Sequence, residues 1–162
     1  FVPLRYAFDR ERISSAGSYQ ELVRHFRTAA VNVNHDLDIE LDCQTQTLTV
    51  AGKDISLSVN ECVFYFFFAA HAQDESSPHF RALVEIEDGL RQAKAQLLKS
   101  GNQWAHDALD GLTPKEDLRR WASDIRGKIK SAGFVQSQVD RLVPVRGRVS
   151  VDLPADCVTI HR

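Results

Sequence analysis

The sequence predicts an α+β fold, on three observations. Between Leu37 and Leu57 apolar residues alternate with polar ones at a period of two, the pattern of half-buried strands. From Pro114 to Gly133, Leu118, Trp121, Ala122, Ile125 and Ile129 recur at three- and four-residue steps, which puts one apolar stripe on one face of a helix. Beyond that helix, Leu142–Val145 and Val149–Leu153 are short β-rich runs around the turn-prone Arg146-Gly147-Arg148. Together these describe a winged helix-turn-helix with an N-terminal β-meander and a C-terminal β-hairpin wing, preceded by a helical arm.

The arm comes first. Phe1 to Phe8 is an apolar, proline-containing lead-in, and Asp9 to Ser18 is polar loop. Ser18 caps a helix predicted to reach Ala30, with Glu21 completing a capping box and Leu22, Val23, Phe26 and Ala30 on its apolar face. Residues 1–31 are therefore read as a linker and helical arm from an upstream domain, and 32–162 as the winged-helix domain.

In the meander, Leu37, Ile39 and Leu41 alternate with Asp38, Glu40 and Asp42, and Leu48 and Val50 flank Thr49. Ala51-Gly52-Lys53-Asp54 is a turn, and Ile55 and Leu57 begin a third strand. Ser58 then caps a helix, with Glu61 at the capping-box position. From Val59 to Ala72 nearly every position is apolar, as in a central, enclosed helix. Phe64, Tyr65, Phe66, Phe67 and Phe68 would line a ligand pocket only if polar groups oriented the ligand. This helix brings none, so the aromatics read as core.

After a polar break from Gln73 to Pro78, Phe80, Leu83, Val84, Leu90, Ala93, Leu97 and Leu98 mark another helix. Gly89 weakens its middle by about 1 kcal/mol. Gly101-Asn102 ends it, and Trp104, Ala105, Ala108 and Leu109 predict a short further helix. The long last helix has Thr113 at its N-cap, Pro114 in its first position and Gly133 as its C-terminal cap.

Charge is concentrated in the same region. From Lys115 to Arg148 nine lysines and arginines stand against four acids, a local balance of +5 in a chain of net charge −2. A basic C-terminal element thus sits on an acidic body. On a helical wheel with Leu118 facing the core, Arg119, Arg120, Ser123, Gly127 and Lys130 point outward. The candidate nucleic-acid contacts are Arg119, Arg120, Ser123, Arg126 and Lys130 on a recognition helix, with Arg146 and Arg148 on the wing. The expected partner is double-stranded DNA or another nucleic acid. The alternative is a homodimer contact, or docking onto the upstream domain, made by the same winged helix.

Composition bounds the rest. A hydrophobic share of 43% with 26% charged residues suits a chain that buries a core and argues against disorder. The longest apolar run, Cys62–Ala70, has nine residues, well short of the ~18 of a membrane span. No signal segment opens the chain, and Cys43, Cys62 and Cys157 are an odd set without a CxxC pair. A cytoplasmic protein with reduced thiols is expected. A chain that starts at Phe1 and has no methionine is expected to be a piece of a larger protein, or to have lost modified methionines from its written sequence.

Several of these phrases resemble a known family. VAGKDISLSVNECVFYFFFAAHA is similar to the lead-in and first helix of the winged-helix region found C-terminal to the CARF domain of CRISPR-associated, ring-nuclease-like proteins. VPLRYAF followed by SYQELVRHFRTA resembles the family's link out of the CARF domain, and LVPVRGRVSVDLPADCVTI its terminal hairpin and tail. Here the tip, Val145-Arg146-Gly147-Arg148-Val149, is shorter than the family's Gly/Arg-rich tip, which shortens the wing's expected reach. The resemblance implies a non-catalytic domain acting in antiviral defence. It also implies an upstream partner domain that senses cyclic oligoadenylate. Residues that bind or cleave that ligand would precede Phe1, and none is carried onto this chain.

No catalytic residue, cofactor or metal is assigned. The histidines 25, 35, 71, 79, 106 and 161 form no ligand-spaced pair. Asp36, Asp38, Glu40 and Asp42 share one face of a strand and read as its solvated side. His106 and Asp107 are explained by a helix surface. No glycine-rich phosphate loop or GxSxG elbow occurs.

Overall fold

The computed structural model describes residues 37–73, 83–145, 149–152 and 154–162. The predicted arm and the helix from Ser18 to Ala30 lie outside these residues. Leu37–Arg162 is one compact unit. Strands β1 (Ile39–Asp42), β2 (Thr47–Val50) and β3 (Lys53–Ser56) form the expected antiparallel meander. A fourth strand, β4 (Val158–His161), pairs with β1 in parallel, so the sheet order is β3-β2-β1-β4.

The alternation explains the meander. Leu37, Ile39, Leu41, Leu48, Val50, Ile55 and Leu57 are all buried, while Asp38 and Glu40 face solvent. Ala51 and Gly52 take φ of 46° and 75°, the left-handed pair that a two-residue hairpin turn requires. At the β1–β2 turn the Asp42 carboxylate accepts the N–H groups of Gln44 at 2.8 Å and Thr45 at 3.2 Å. The Thr45 backbone bond leads in holding this carboxyl below its usual range.

Helix α1 (Val59–Gln73) starts where the capping box places it. Ser58 N–H donates to Glu61 Oε2 at 2.5 Å, and Glu61 N–H donates to Ser58 Oγ at 3.4 Å. The helix is the centre of the core, with every residue from Glu61 to Ala69 buried. Phe64–Phe68 and Phe67–Phe68 pack edge to face at 5.0 and 5.1 Å.

Helix α2 (Glu87–Lys99) is entered through a 3-10 turn, Leu83–Ile86, and packs on α1. Gly89 therefore lies in its first turn, not its middle. A Cβ there would overlap the Phe67 ring, so the glycine is a close-packing requirement. Trp104 falls in a 3-10 turn (Gln103–Asp107) instead of an α-helix, and its indole N–H donates to the Cys43 carbonyl at 2.9 Å. All three cysteines are free and buried.

Helix α3 (Pro114–Ser131) keeps its predicted bounds and stripe: Leu118, Trp121, Ala122, Ile125 and Ile129 are all buried. Thr113 occupies the N-cap without a side-chain cap bond, and Asp117 Oδ2 instead accepts the Thr113 N–H at 2.7 Å. At the other end Gly133, with φ 94°, donates to the Lys130 carbonyl, and Phe134 N–H to that of Ile129. These two bonds make a Schellman cap.

The chain then departs from expectation. Gln136–Leu142 is a fourth helix, α4, with Val139 and Leu142 one turn apart on its buried face. Gln138 Oε1 accepts the Val135 N–H at 3.1 Å and starts it. Of the two β-rich runs expected to form the wing, Leu142 ends α4, and Val145 and Val149 are single bridge residues. The regular terminal strand is β4, whose pairing is with the meander. The described residues thus form an α+β fold with a four-stranded mixed sheet and four α-helices.

Candidate nucleic-acid interface

Helix α3 presents two flanks on either side of its buried stripe. Arg119, Ser123, Arg126 and Lys130 follow one another at steps of four, three and four, so they form a single stripe along one flank. Arg119, Ser123 and Lys130 are exposed, and among the described residues none has an ion-pair or hydrogen-bond partner for its side chain. Arg126 is half-buried. Its Nη2 donates to the Pro144 carbonyl at 2.8 Å, while its Nε is buried without a partner. That bond fixes which way the flank faces: toward the root of the segment carrying Arg146 and Arg148. Those two arginines lie outside the described residues.

Arg120 is the predicted contact that leaves this stripe. It sits one position round the helix and pairs with Asp117 at 2.7 Å while 63% exposed, an i,i+3 surface pair. The far flank faces β3 across a groove of about 680 Å³ lined by Asp54, Ser56, Asp124, Gly127 and Ser131 among others, and Ser123, at the edge of the stripe, borders it too. Gly127 is exposed, and a Cβ there would meet nothing within 4 Å.

The basic count of the sequence therefore does not translate into one surface potential. Lys128 is turned inward: its Nζ lies 2.6 Å from Glu61 Oε2 and 3.0 Å from the Ser56 carbonyl oxygen. Arg141 Nη2 reaches the Asp152 carbonyl at 3.3 Å, and Asp152 N–H returns a bond to the Arg141 carbonyl at 2.8 Å. Exposed Glu116 and Asp124 dilute the field further. What remains open on α3 is the Arg119–Ser123–Lys130 stripe. The inward turn of Lys128 was not legible from its position on the wheel. The clue was Glu61, a carboxylate in an otherwise apolar helix that needed a cation.

The other chemistry-bearing residues are dispersed. His106 and Asp107 are exposed on the 3-10 turn. Glu40 pairs with His161 Nε2 at 2.6 Å across the sheet. Among the described residues no three His, Cys, Asp or Glu side chains come together as a metal-holding group. No helix among them is long and apolar enough to cross a membrane.

No protein-family model, no curated protein and no solved structure matches the chain.

Proposed function

We propose that residues 32–162 are a non-catalytic winged-helix domain of a CRISPR-associated CARF-type protein, contacting duplex nucleic acid in antiviral defence. One observation carries the reading. The Arg119–Ser123–Lys130 stripe is open and shares its flank with Arg126, which grips the root of the segment bearing Arg146 and Arg148. An open basic stripe along a helix offers a line of phosphate contacts, and Arg146 and Arg148 are proposed to add to it from a wing. The family assignment rests on the sequence motifs.

Mobility shift on random-sequence duplex DNA tests it. Binding should be present at about 50 mM salt and fall steeply by about 200 mM, with a log–log slope near −0.9 per phosphate contacted. Absence of binding at the lower salt contradicts it.

A second reading, a docking or dimerisation module, is favoured by the open groove beside β3 and by Val135. That side chain is 60% exposed and is the one large hydrophobic so exposed among the described residues. Sedimentation of the chain at high concentration separates self-association from a monomer.

A further inference from the structure

Two of the three cysteines are brought together by the fold. Cys43 directly follows β1, and its backbone is held on both sides: its N–H donates to the His161 carbonyl at 2.8 Å, and its carbonyl accepts the Trp104 indole N–H at 2.9 Å. Cys62 lies in the first turn of α1, where its N–H donates to the Ser58 carbonyl at 2.8 Å. The segment that carries Trp104 also reaches the start of α1, because the Leu109 N–H donates to Asn60 Oδ1 at 2.8 Å. The two thiols meet there in a hydrogen bond, with both residues buried.

Cys157 is kept apart from both. It precedes Val158, which pairs with Ile39 at the start of β1, whereas Cys43 follows Asp42, which pairs with His161 at the other end. At about 3.3 Å per strand residue the two cysteines are roughly 16 Å apart, beyond the about 7 Å Cα reach of a disulfide. Gln73 Nε2, at the last residue of α1, donates to the Val158 carbonyl at 2.7 Å, so Cys157 is also far from Cys62 in the first turn.

The shared hydrogen bond makes the paired thiols unequal. It holds the Cys43 thiol below its usual range, while the same bond, with burial, pushes the Cys62 thiol up. Cys43 is therefore the better nucleophile and Cys62 the resolving thiol.

We infer that Cys43 and Cys62 are a redox pair, converted by a small disulfide such as oxidised glutathione into a protein disulfide that clamps the end of β1 to the start of α1. The Cys43 thiolate attacks one glutathione sulfur, the glutathione S–S bond breaks, and one glutathione thiolate leaves. The Cys62 thiolate then attacks Cys43 Sγ, the mixed disulfide breaks, and the second glutathione leaves. Two protein thiols are oxidised, one small disulfide is reduced, and the two cysteine protons end on the two glutathione thiols. Exposed Gln44 and Thr45 follow Cys43, so local opening of this turn brings its thiol to the reagent, and oxidation proceeds at the rate of that opening. The new bond closes the chain from Cys43 to Cys62, which contains β2 and β3, and removes freedom from the unfolded state.

The test incubates the full chain, without denaturant, with oxidised glutathione and maps its cysteines by mass spectrometry of non-reduced peptides. A Cys43–Cys62 link should appear, with Cys157 still alkylated as a free thiol after unfolding. The oxidised chain should melt higher than the reduced chain by on the order of 5 °C, and dithiothreitol should reverse the gain. Because the map is made on the wild-type chain, no substitution has to fold. Three cysteines that all stay reduced, a link through Cys157, glutathione retained on Cys43, or a Cys43–Cys62 link with no rise in melting temperature overturns the inference.

Discussion

Lys128 Nζ sits 2.6 Å from Glu61 Oε2, joining α3 to the capping box that starts α1. The same ammonium donates to the Ser56 carbonyl at the end of β3, so one side chain ties together strand, cap and helix. The Glu61 side chain is only 4% exposed, while Lys128 keeps 39%. Burial pushes the Glu61 carboxyl up. The Lys128 hydrogen bond and the Ser58 bonds outweigh it and hold the group below its usual range.

A pH dependence follows from that direction. Because the folded value is depressed, the Glu61 contribution is complete above the unfolded carboxylate value of about 4.3. It is lost as pH falls through the lower folded value. Denaturant midpoints of wild type and Glu61→Gln should therefore differ at neutral pH and converge toward pH 3. A constant gap contradicts this.

Removing the cation reverses the sign. Lys128→Ala leaves a buried carboxylate without compensation and should cost about 2–3 kcal/mol at neutral pH. That is below the roughly 3–5 of a fully buried pair because Lys128 is partly solvated. Desolvation then raises the Glu61 pKa, so the variant should lose less relative to wild type as pH falls. Urea titrations at several pH values measure it.

Trp121 lies 4% exposed on the α3 stripe, with its ring edge to face against Phe64 at 6.1 Å. Trp121→Ala should destabilise the fold by about 3–5 kcal/mol. An unchanged melting temperature would show that the stripe is misphased.

Two helical glycines should respond in opposite directions. Gly127→Ala gains helix propensity into open space and should stabilise by up to about 1 kcal/mol. Gly89→Ala drives a methyl into the Phe67 ring and should destabilise by about 1–3 kcal/mol despite the same gain in propensity. Thermal unfolding of both variants decides the comparison.

Much of this fold is legible in the residues, because its signals are local. The meander shows in the period-two run from Leu37 to Leu57, α1 in Ser58 and Glu61, and α3 in Pro114, its stripe and Gly133. What escapes is set by distance in the chain. Val158–His161 has too few residues to declare a partner, and its pairing with β1 is decided by the fold. Gln136–Leu142 is too short for a strong periodicity, and the hairpin expected beyond it overlaps it only at Leu142. At the candidate site the stripe itself is readable, but the destinations of Lys128 and Arg126 are not. Their partners, Glu61 and the Pro144 carbonyl, lie on other elements.

The most direct test of the proposed interface compares charge reversals on the two parts of the α3 surface. Arg119→Glu with Lys130→Glu places two acids in the open stripe, while Arg120→Glu alters a residue already paired with Asp117. Both variants should keep the wild-type melting temperature to within the roughly 0.5 kcal/mol typical of surface changes. In low-salt mobility shift the Arg119/Lys130 variant should lose duplex binding, while Arg120→Glu retains most of it. Wild-type binding by the Arg119/Lys130 variant contradicts the assignment of this stripe to nucleic acid.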